Sequence, residues 1–267
     1  MSASLQATLR YLADRDDKAV YHASAAGGPA AKHEGVFRDE ILPVHDGRNQ
    51  AFTLAQHGFQ LVSMPSRVSD FYDDEQIFAI YEAEVVALVK AATGARDVRI
   101  FDHTRRSASA DHRAQKITRE PASIIHNDYS EDSGRTRLFD LYPEEAEQLM
   151  MGRIGIVNIW RTIAGEVETY PLAFCDANSV APEDFITVTR QAENRVGALQ
   201  MAVYNPNHRW YYFPKMRPDE AALISTWDND PENHARFTLH TAFDNPDAPD
   251  DAPPRESMET RCFVFYG

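Results

Sequence analysis

The chain of 267 residues is 43% hydrophobic and 25% charged, the proportions of an ordinary globular protein, which excludes a fibre or wholesale disorder. Lys and Arg total 27 against 41 Asp and Glu, a formal net charge of −14, and no basic run occurs; nucleic acid and anionic membranes are therefore poor partners and a small molecule is expected. No apolar run reaches the roughly 18 residues of a membrane helix, the N-terminus lacks a signal-peptide pattern, and Cys175 and Cys262 make no disulfide framework, so a cytoplasmic location is the simplest expectation.

Leu5, Leu9 and Leu12 recur at helical spacing, which predicts a helix that SAAGGPAAK breaks by about Pro29. Gly35–Val44 and Gly58–Met64 read as short strands around the turn-like HDGRN. The clearest helix runs from about Asp73 to Ala92, with Ile77, Tyr81, Val85 and Leu88 in one stripe, acids at its start and Gly94 at its end. VRIFDHT then reads as a strand. Beyond it come short segments rich in β-branched and aromatic residues: RIGIVNIWRT, TYPLAFCD, FITVTRQ, GALQMAVYN, HRWYYFP, AALISTW, RFTLHTAF and ETRCFVFYG. One short helix, YPEEAEQLMM, interrupts them, and the acidic, Pro-rich Asp244–Pro254 reads as an exposed loop. This pattern predicts an α+β domain with a β-sandwich or barrel. A single domain over 1–267 is expected, with a helical or hairpin extension over about 1–65 packed on the β core.

Three features carry chemistry. His126 and Asp128 lie two apart in SIIHNDYS, so on a strand they face one way and converge on one ion. An imidazole nitrogen with a carboxylate oxygen suits Fe(II), Mn(II) or Zn(II). About one His-x-Asp is expected by accident in a chain of this make-up, so the pair alone fits a surface turn better. His240 sits on the polar face of ARFTLHTAF; alone it reads as an ordinary histidine. Arg255 and Ser257, again two apart, offer a guanidinium fork and a hydroxyl to one carboxylate, although read alone they fit a solvent-facing edge strand with a Glu-Arg ladder better. Together they make a two-histidine, one-carboxylate set with open metal positions, followed by a basic anchor. His45, His57, His103, His112 and His234 lack a carboxylate at ligand spacing or lie in loops.

The segments HNDYS, VNIWR, PLAFCDANSV, YNPNHRWYYFPKM, HTAFDNP and PPRESMETR, spread in order over more than half the chain, resemble the Fe(II)/2-oxoglutarate-type hydroxylase/desaturase family. YNPNHRWYYFPKM and PPRESMETR are its specific parts; NIWRT departs from it, since relatives often carry Pro after the Arg. The resemblance implies a double-stranded β-helix (jelly-roll or cupin-like) core with flanking helices. It implies His126, Asp128 and His240 as ligands of Fe(II), and Arg255 with Ser257 as the anchor of the distal carboxylate of 2-oxoglutarate, with O2 as the oxidant. The reaction implied is hydroxylation or desaturation of a small natural-product-like substrate.

Candidate substrate residues are Tyr129, Asn158, Arg161, Tyr204 and Trp210. Arg161 reads equally as a structural ion pair, and the aromatics around His208 and Arg209 as core. Cys175 and Cys262 are expected to be buried and inert. Two other readings stay open: an iron oxidase whose substrate itself chelates the metal without 2-oxoglutarate, and a non-catalytic accessory protein on the same fold. A zinc hydrolase would need a general base beside the metal, and no residue stands out for it. A homo-oligomer is compatible with the sequence.

Overall fold

The computed structural model describes residues 4–28, 30–193 and 195–267. In chain order it contains β1 (Ser4–Leu12), β2 (Val20–His22), β3 (Lys32–Glu34), β4 (Phe37–Asp46), α1 (Leu54–His57), β5 (Phe59–Ser63), α2 (Asp74–Gln76), a π turn (Ile77–Tyr81) and α3 (Glu82–Thr93). Then follow β6 (Asp97–Ser107), α4 (Ala110–Lys116), β7 (His126–Asn127), α5 (Glu131–Leu141), α6 (Ala146–Leu149), β8 (Ile154–Thr162) and β9 (Leu172–Cys175). The rest is β10 (Phe185–Ala192), β11 (Arg195–Ala202), β12 (Trp210–Tyr212), β13 (Glu220–Asp228), β14 (His240–Ala242) and β15 (Glu256–Phe265).

The strands form two sheets. The larger has ten strands in the order β1-β4-β12-β9-β14-β7-β11-β10-β2-β3; the smaller has five, β5-β13-β8-β15-β6. The large sheet curls back on itself, so that Leu12 bridges Val203 and the Ile125 N–H donates to the Arg10 carbonyl. This is the jelly-roll core of a double-stranded β-helix. Phe59, Trp160, Phe174, Phe213 and Ile224 fill one end of the space between the sheets; Ile154, Ile156, Trp227 and Phe263 fill the other. The π turn and α3 cover the outer face of the small sheet, where Ile77, Tyr81, Val85 and Val89 pack on Val157, Ile159, Met258 and Cys262.

The expected N-terminal helix is a strand. Leu5 and Leu9 fit a period of 3.6, but they also alternate with Ala7 and Tyr11, and all four are buried while Ser4, Gln6, Thr8 and Arg10 are exposed. Two leucines four apart satisfy both periods, and pairing with β4 over nine residues decides for the strand. The predicted end of that segment, Pro29, lies outside the described residues. The helix from Asp73 and its left-handed end at Gly94 (φ 69°) form as expected, broken only by the π turn. Helices α4 and α5 were not anticipated. Each starts on a serine, Ser109 or Ser130, whose hydroxyl accepts from a backbone N–H one turn on.

Candidate iron and 2-oxoglutarate site

The inner face of the large sheet supplies the two histidines. His126 on β7 pairs directly across from His240 on β14, which itself pairs with Phe174 on β9. Direct cross-strand partners point the same way, so the two rings stand 4.5 Å apart. Asp128 follows β7 by one residue and brings its carboxylate to within 3.6 Å of His126 Nε2. One donor atom from each of His126, Asp128 and His240 lies within 4.8 Å of the others.

Both imidazoles have their tautomers fixed by the backbone two residues earlier. His126 Nδ1–H donates to the Ile124 carbonyl at 2.7 Å, and His240 Nδ1–H donates to the Thr238 carbonyl at 2.9 Å. Each Nε2 is thereby left as a lone pair for a metal. Burial, and then the neighbouring His240, push His126 down to about 3, so it is neutral at physiological pH. Burial opposes the charge on Asp128, but Arg261, His240 and His126 outweigh it and hold the carboxyl well below its usual range.

The small sheet holds that carboxylate in place. Asn158 on β8 donates to Asp128 Oδ2 at 2.7 Å, and Arg261 on β15 donates to the same oxygen at 3.0 Å. Arg261 also bonds Asp102 at 2.6 Å and Glu259, so three acids share one cation. Asn158, singled out as a candidate substrate residue, is bonded to the Asp128 carboxylate. Arg261 was missed, although the alternation Arg255, Ser257, Glu259, Arg261 in PPRESMETR already placed it on the same strand face.

Arg255 is 4% exposed and Ser257 fully buried. The guanidinium donates to the Tyr170 carbonyl and lies over the Trp160 ring at 5.3 Å. Its Nε and Nη2, and the Ser257 hydroxyl, have no hydrogen-bond partner among the described residues. Burial, and then Arg106, push the Arg255 guanidinium down to about 9, the mark of a cation lacking its counter-ion. Tyr170 holds a left-handed backbone (φ 46°), uncommon for a bulky residue, and this turns its carbonyl toward Arg255. Arg255, His126 and His240 line one recess together with Trp160, Leu172 and Glu259. Unpaired buried donors facing the histidines suit a carboxylate ligand. The recess holds only about 10 Å³, so a carboxylate ligand would require side chains to give way.

A larger cavity of about 420 Å³ opens on the other side of His126 and Asp128, with Tyr129 in its wall. Burial pushes the Tyr129 hydroxyl up to about 12. Three expected substrate residues lie elsewhere. Arg161 points to the outer face of β8, stacked on Phe71 at 4.6 Å and Tyr81 at 5.6 Å, because its odd position in the strand opposes Asn158 and Trp160. Trp210 and Tyr204 pack behind the large sheet against Tyr11, with Trp210 Nε1 donating to Tyr11 Oη at 2.8 Å. Trp210 pairs across from Cys175, whose side chain faces away from that of Phe174 and so from His240. Cys175 and Cys262 are free, buried thiols, as expected.

Residues 9–265 match a protein family described as "Oxidoreductase/YMDC permease-like domain". The hydroxylase/desaturase CTB9 of Cercospora beticola is 33% identical over 82% of this chain and 74% of its own length. The Fe(II)/2-oxoglutarate-dependent dioxygenase nvfI of Aspergillus novofumigatus is 31% identical over 84% of this chain and 82% of its own length. The chain belongs to the Fe(II)/2-oxoglutarate-dependent dioxygenases. A solved structure of the iron and alpha-ketoglutarate-dependent endoperoxidase NvfI superimposes with a TM-score of 0.85 at 26% identity, covering 99% of this chain and 98% of that one. Fe(II), 2-oxoglutarate and O2 are accordingly this dioxygenase's metal and cosubstrates, and its substrates are small molecules. Among these relatives nothing supports the readings without 2-oxoglutarate or without catalysis.

Proposed function

We propose that this dioxygenase binds Fe(II) through His126 Nε2, an Asp128 carboxylate oxygen and His240 Nε2, and anchors the distal carboxylate of 2-oxoglutarate on Arg255 and Ser257. It hydroxylates or desaturates a natural-product-like molecule held in the 420 Å³ cavity, with Tyr129 against the substrate. The whole of 1–267 serves as one oxygenase domain, since the N-terminal strands belong to the sheet that carries the histidines. The observation that carries this reading is the pair of Nδ1–H bonds to backbone carbonyls, which aims both Nε2 atoms toward Asp128.

When bound, the iron would supply oxidation of an unactivated C–H bond coupled to conversion of 2-oxoglutarate to succinate. The residues of this chain position, neutralise and exclude water. Arg261 and Asn158 keep Asp128 ionised and oriented. The backbone carbonyls of Ile124 and Thr238 keep each histidine in its metal-binding tautomer. Trp160, Phe174 and Leu172 make a dry wall beside the anchor. Net charge −14 and a cavity of drug-like size support a small molecule over nucleic acid as the partner.

The test is an anaerobic titration of metal-free protein with Fe(II) and then 2-oxoglutarate. Chelation of the keto acid gives a weak visible band near about 500 nm at an open two-histidine, one-carboxylate site. The band is expected in wild type, absent in His126→Ala and shifted to much higher 2-oxoglutarate concentration in Arg255→Met. A band of equal strength in His126→Ala would remove the ligand assignment.

A further inference from the structure

The cavity beside the histidines has a charge opposite to that of the molecule. The chain carries a formal −14, yet six arginines line this one space and only three acids do. Arg261 is used up by Asp128, Asp102 and Glu259. Glu120 spends one oxygen on the Ala31 N–H. The arginines left over are Arg106, Arg119, Arg137, Arg190 and Arg195. They come from separate parts of the chain: β6, the segment before β7, α5, β10 and β11.

Two of these have no partner among the described residues. The side chains of Arg119 and Arg190 make no hydrogen bond or ion pair with any described residue, and both are half-buried. Arg137 has a buried Nε without a partner and lies over the Phe101 ring at 5.3 Å. Among the described residues, Arg195 pairs only with Asp140, at 3.6 Å. Burial, then Arg106 and Arg190, lower the Arg119 guanidinium from its ordinary value, while Asp102 works the other way. Like charges gathered in a half-enclosed space repel, and the arrangement is costly unless an anion occupies it. The 2-oxoglutarate anchor already has its own cation in Arg255, in the adjoining recess, which shares His126 and Arg106 with this cavity, whereas Arg119 and Arg190 line only the cavity.

We propose that the substrate is an organic acid: an apolar frame bearing a carboxylate or equivalent oxyanion, which Arg119 and Arg190 bind while the frame lies toward His126 and Asp128. The apolar walls that receive the frame are Leu199 and Met201, on the same sheet face as His126, and Ile124, which packs against them. The guanidinium forks fix the acid end, and the distance from acid to frame then sets which C–H faces the metal. This inference rests on the iron and 2-oxoglutarate reading only for where the frame points.

The experiment compares two fluorescent probes that share an anilinonaphthalene frame. One is 8-anilinonaphthalene-1-sulfonate, an anion; the other is neutral N-phenyl-1-naphthylamine. Each is titrated anaerobically into full-length protein loaded with Fe(II) and 2-oxoglutarate, while the charge-transfer band is followed in the same cuvette. Wild type is expected to bind the anion at least tenfold more tightly than the neutral probe. Arg119→Gln with Arg190→Gln is expected to lose at least tenfold on the anion and less than twofold on the neutral probe, with the band unchanged. Arg119→Lys with Arg190→Lys is expected to keep most of the anion affinity. Equal binding of the two probes by wild type, or unchanged anion binding by the glutamine pair, overturns the proposal. If the glutamine pair does not fold, the wild-type ratio decides. Absence of the band in wild type would refute the iron and cosubstrate assignment, and the probe ratio would still decide whether the cavity takes an acid.

Discussion

Arg255→Met separates an anchor waiting for its ligand from a cation that serves the fold. In the unliganded protein the guanidinium has two unpaired nitrogens, each costing about 1–3 kcal/mol. Against this stand its bond to the Tyr170 carbonyl, about 1.5–3 kcal/mol, and its place on the Trp160 face, about 0.5–2 kcal/mol. The central values, roughly 4 and 3.5 kcal/mol, nearly cancel. Methionine keeps the stem and the packing. The metal-free variant is therefore expected to melt within about 4 °C of wild type, at roughly 2–4 °C per kcal/mol. A buried arginine in a paired structural role would instead cost about 3–5 kcal/mol. With ligand the outcome reverses. Two charge-assisted bonds to a carboxylate are worth about 3–6 kcal/mol together, so 2-oxoglutarate affinity is expected to fall by about 10²- to 10⁴-fold. Calorimetry of the apoprotein and the anaerobic band titration give the two numbers. A melting temperature lowered by more than about 8 °C would show that Arg255 holds the fold together, and a change in 2-oxoglutarate affinity below tenfold would show that it is not the anchor.

Asn158→Ala removes one of the two bonds that orient Asp128, and metal affinity is expected to fall by about 10- to 100-fold while 2-oxoglutarate titrates normally at saturating metal; Co(II) binding followed by its visible spectrum reads this directly. Gly134→Ala places a methyl 2.5 Å from the Trp227 indole, whose Nε1 is tied to the Glu131 carbonyl, so about 1–3 kcal/mol of stability is expected to be lost in urea unfolding. Asp102, Asp176 and Glu220 all have carboxyls held below their usual range: the bond to Arg48 leads for Glu220, while for the two aspartates burial opposes the charge and Arg261 or Arg209 overrules it. A depressed carboxylate stabilises the fold above its unfolded value near about 4 and loses that contribution as pH falls through the folded value. The unfolding free energy of the metal-free protein is accordingly expected to decline as pH falls below about 6.5, where His126 takes a proton only in the unfolded chain, and to fall more steeply below about 4 as these carboxylates are protonated. A rise in stability on acidification would contradict these pairings.

What the sequence disclosed and what it hid follow from the range of the interactions. His126, Asp128 and His240 were legible because their geometry is local: two residues apart on a strand, or fixed by a bond to the carbonyl two residues earlier. That Arg255 and Ser257 share one strand face was legible for the same reason, while their burial was not. Asn158 was singled out, but its bond to Asp128 was not legible, because that partner is 30 positions away and only the packing of β8 over β7 reveals it. Arg161 shows the converse: its charge drew the eye, yet strand parity from Asn158 already sent it to the opposite face, where Phe71 and Tyr81 meet it. The strand Ser4–Leu12 was misread since its two leucines satisfy both periods, and the long-range ladder to β4 chose between them. The arginine-lined cavity was invisible for a deeper reason. Its cations come singly from five segments inside an acidic chain, so no local charge run exists to be found, and only the closing of the two sheets collects them around one space. The chemistry common to the family thus sits in short motifs. The feature that would choose this enzyme's own substrate is written across the fold.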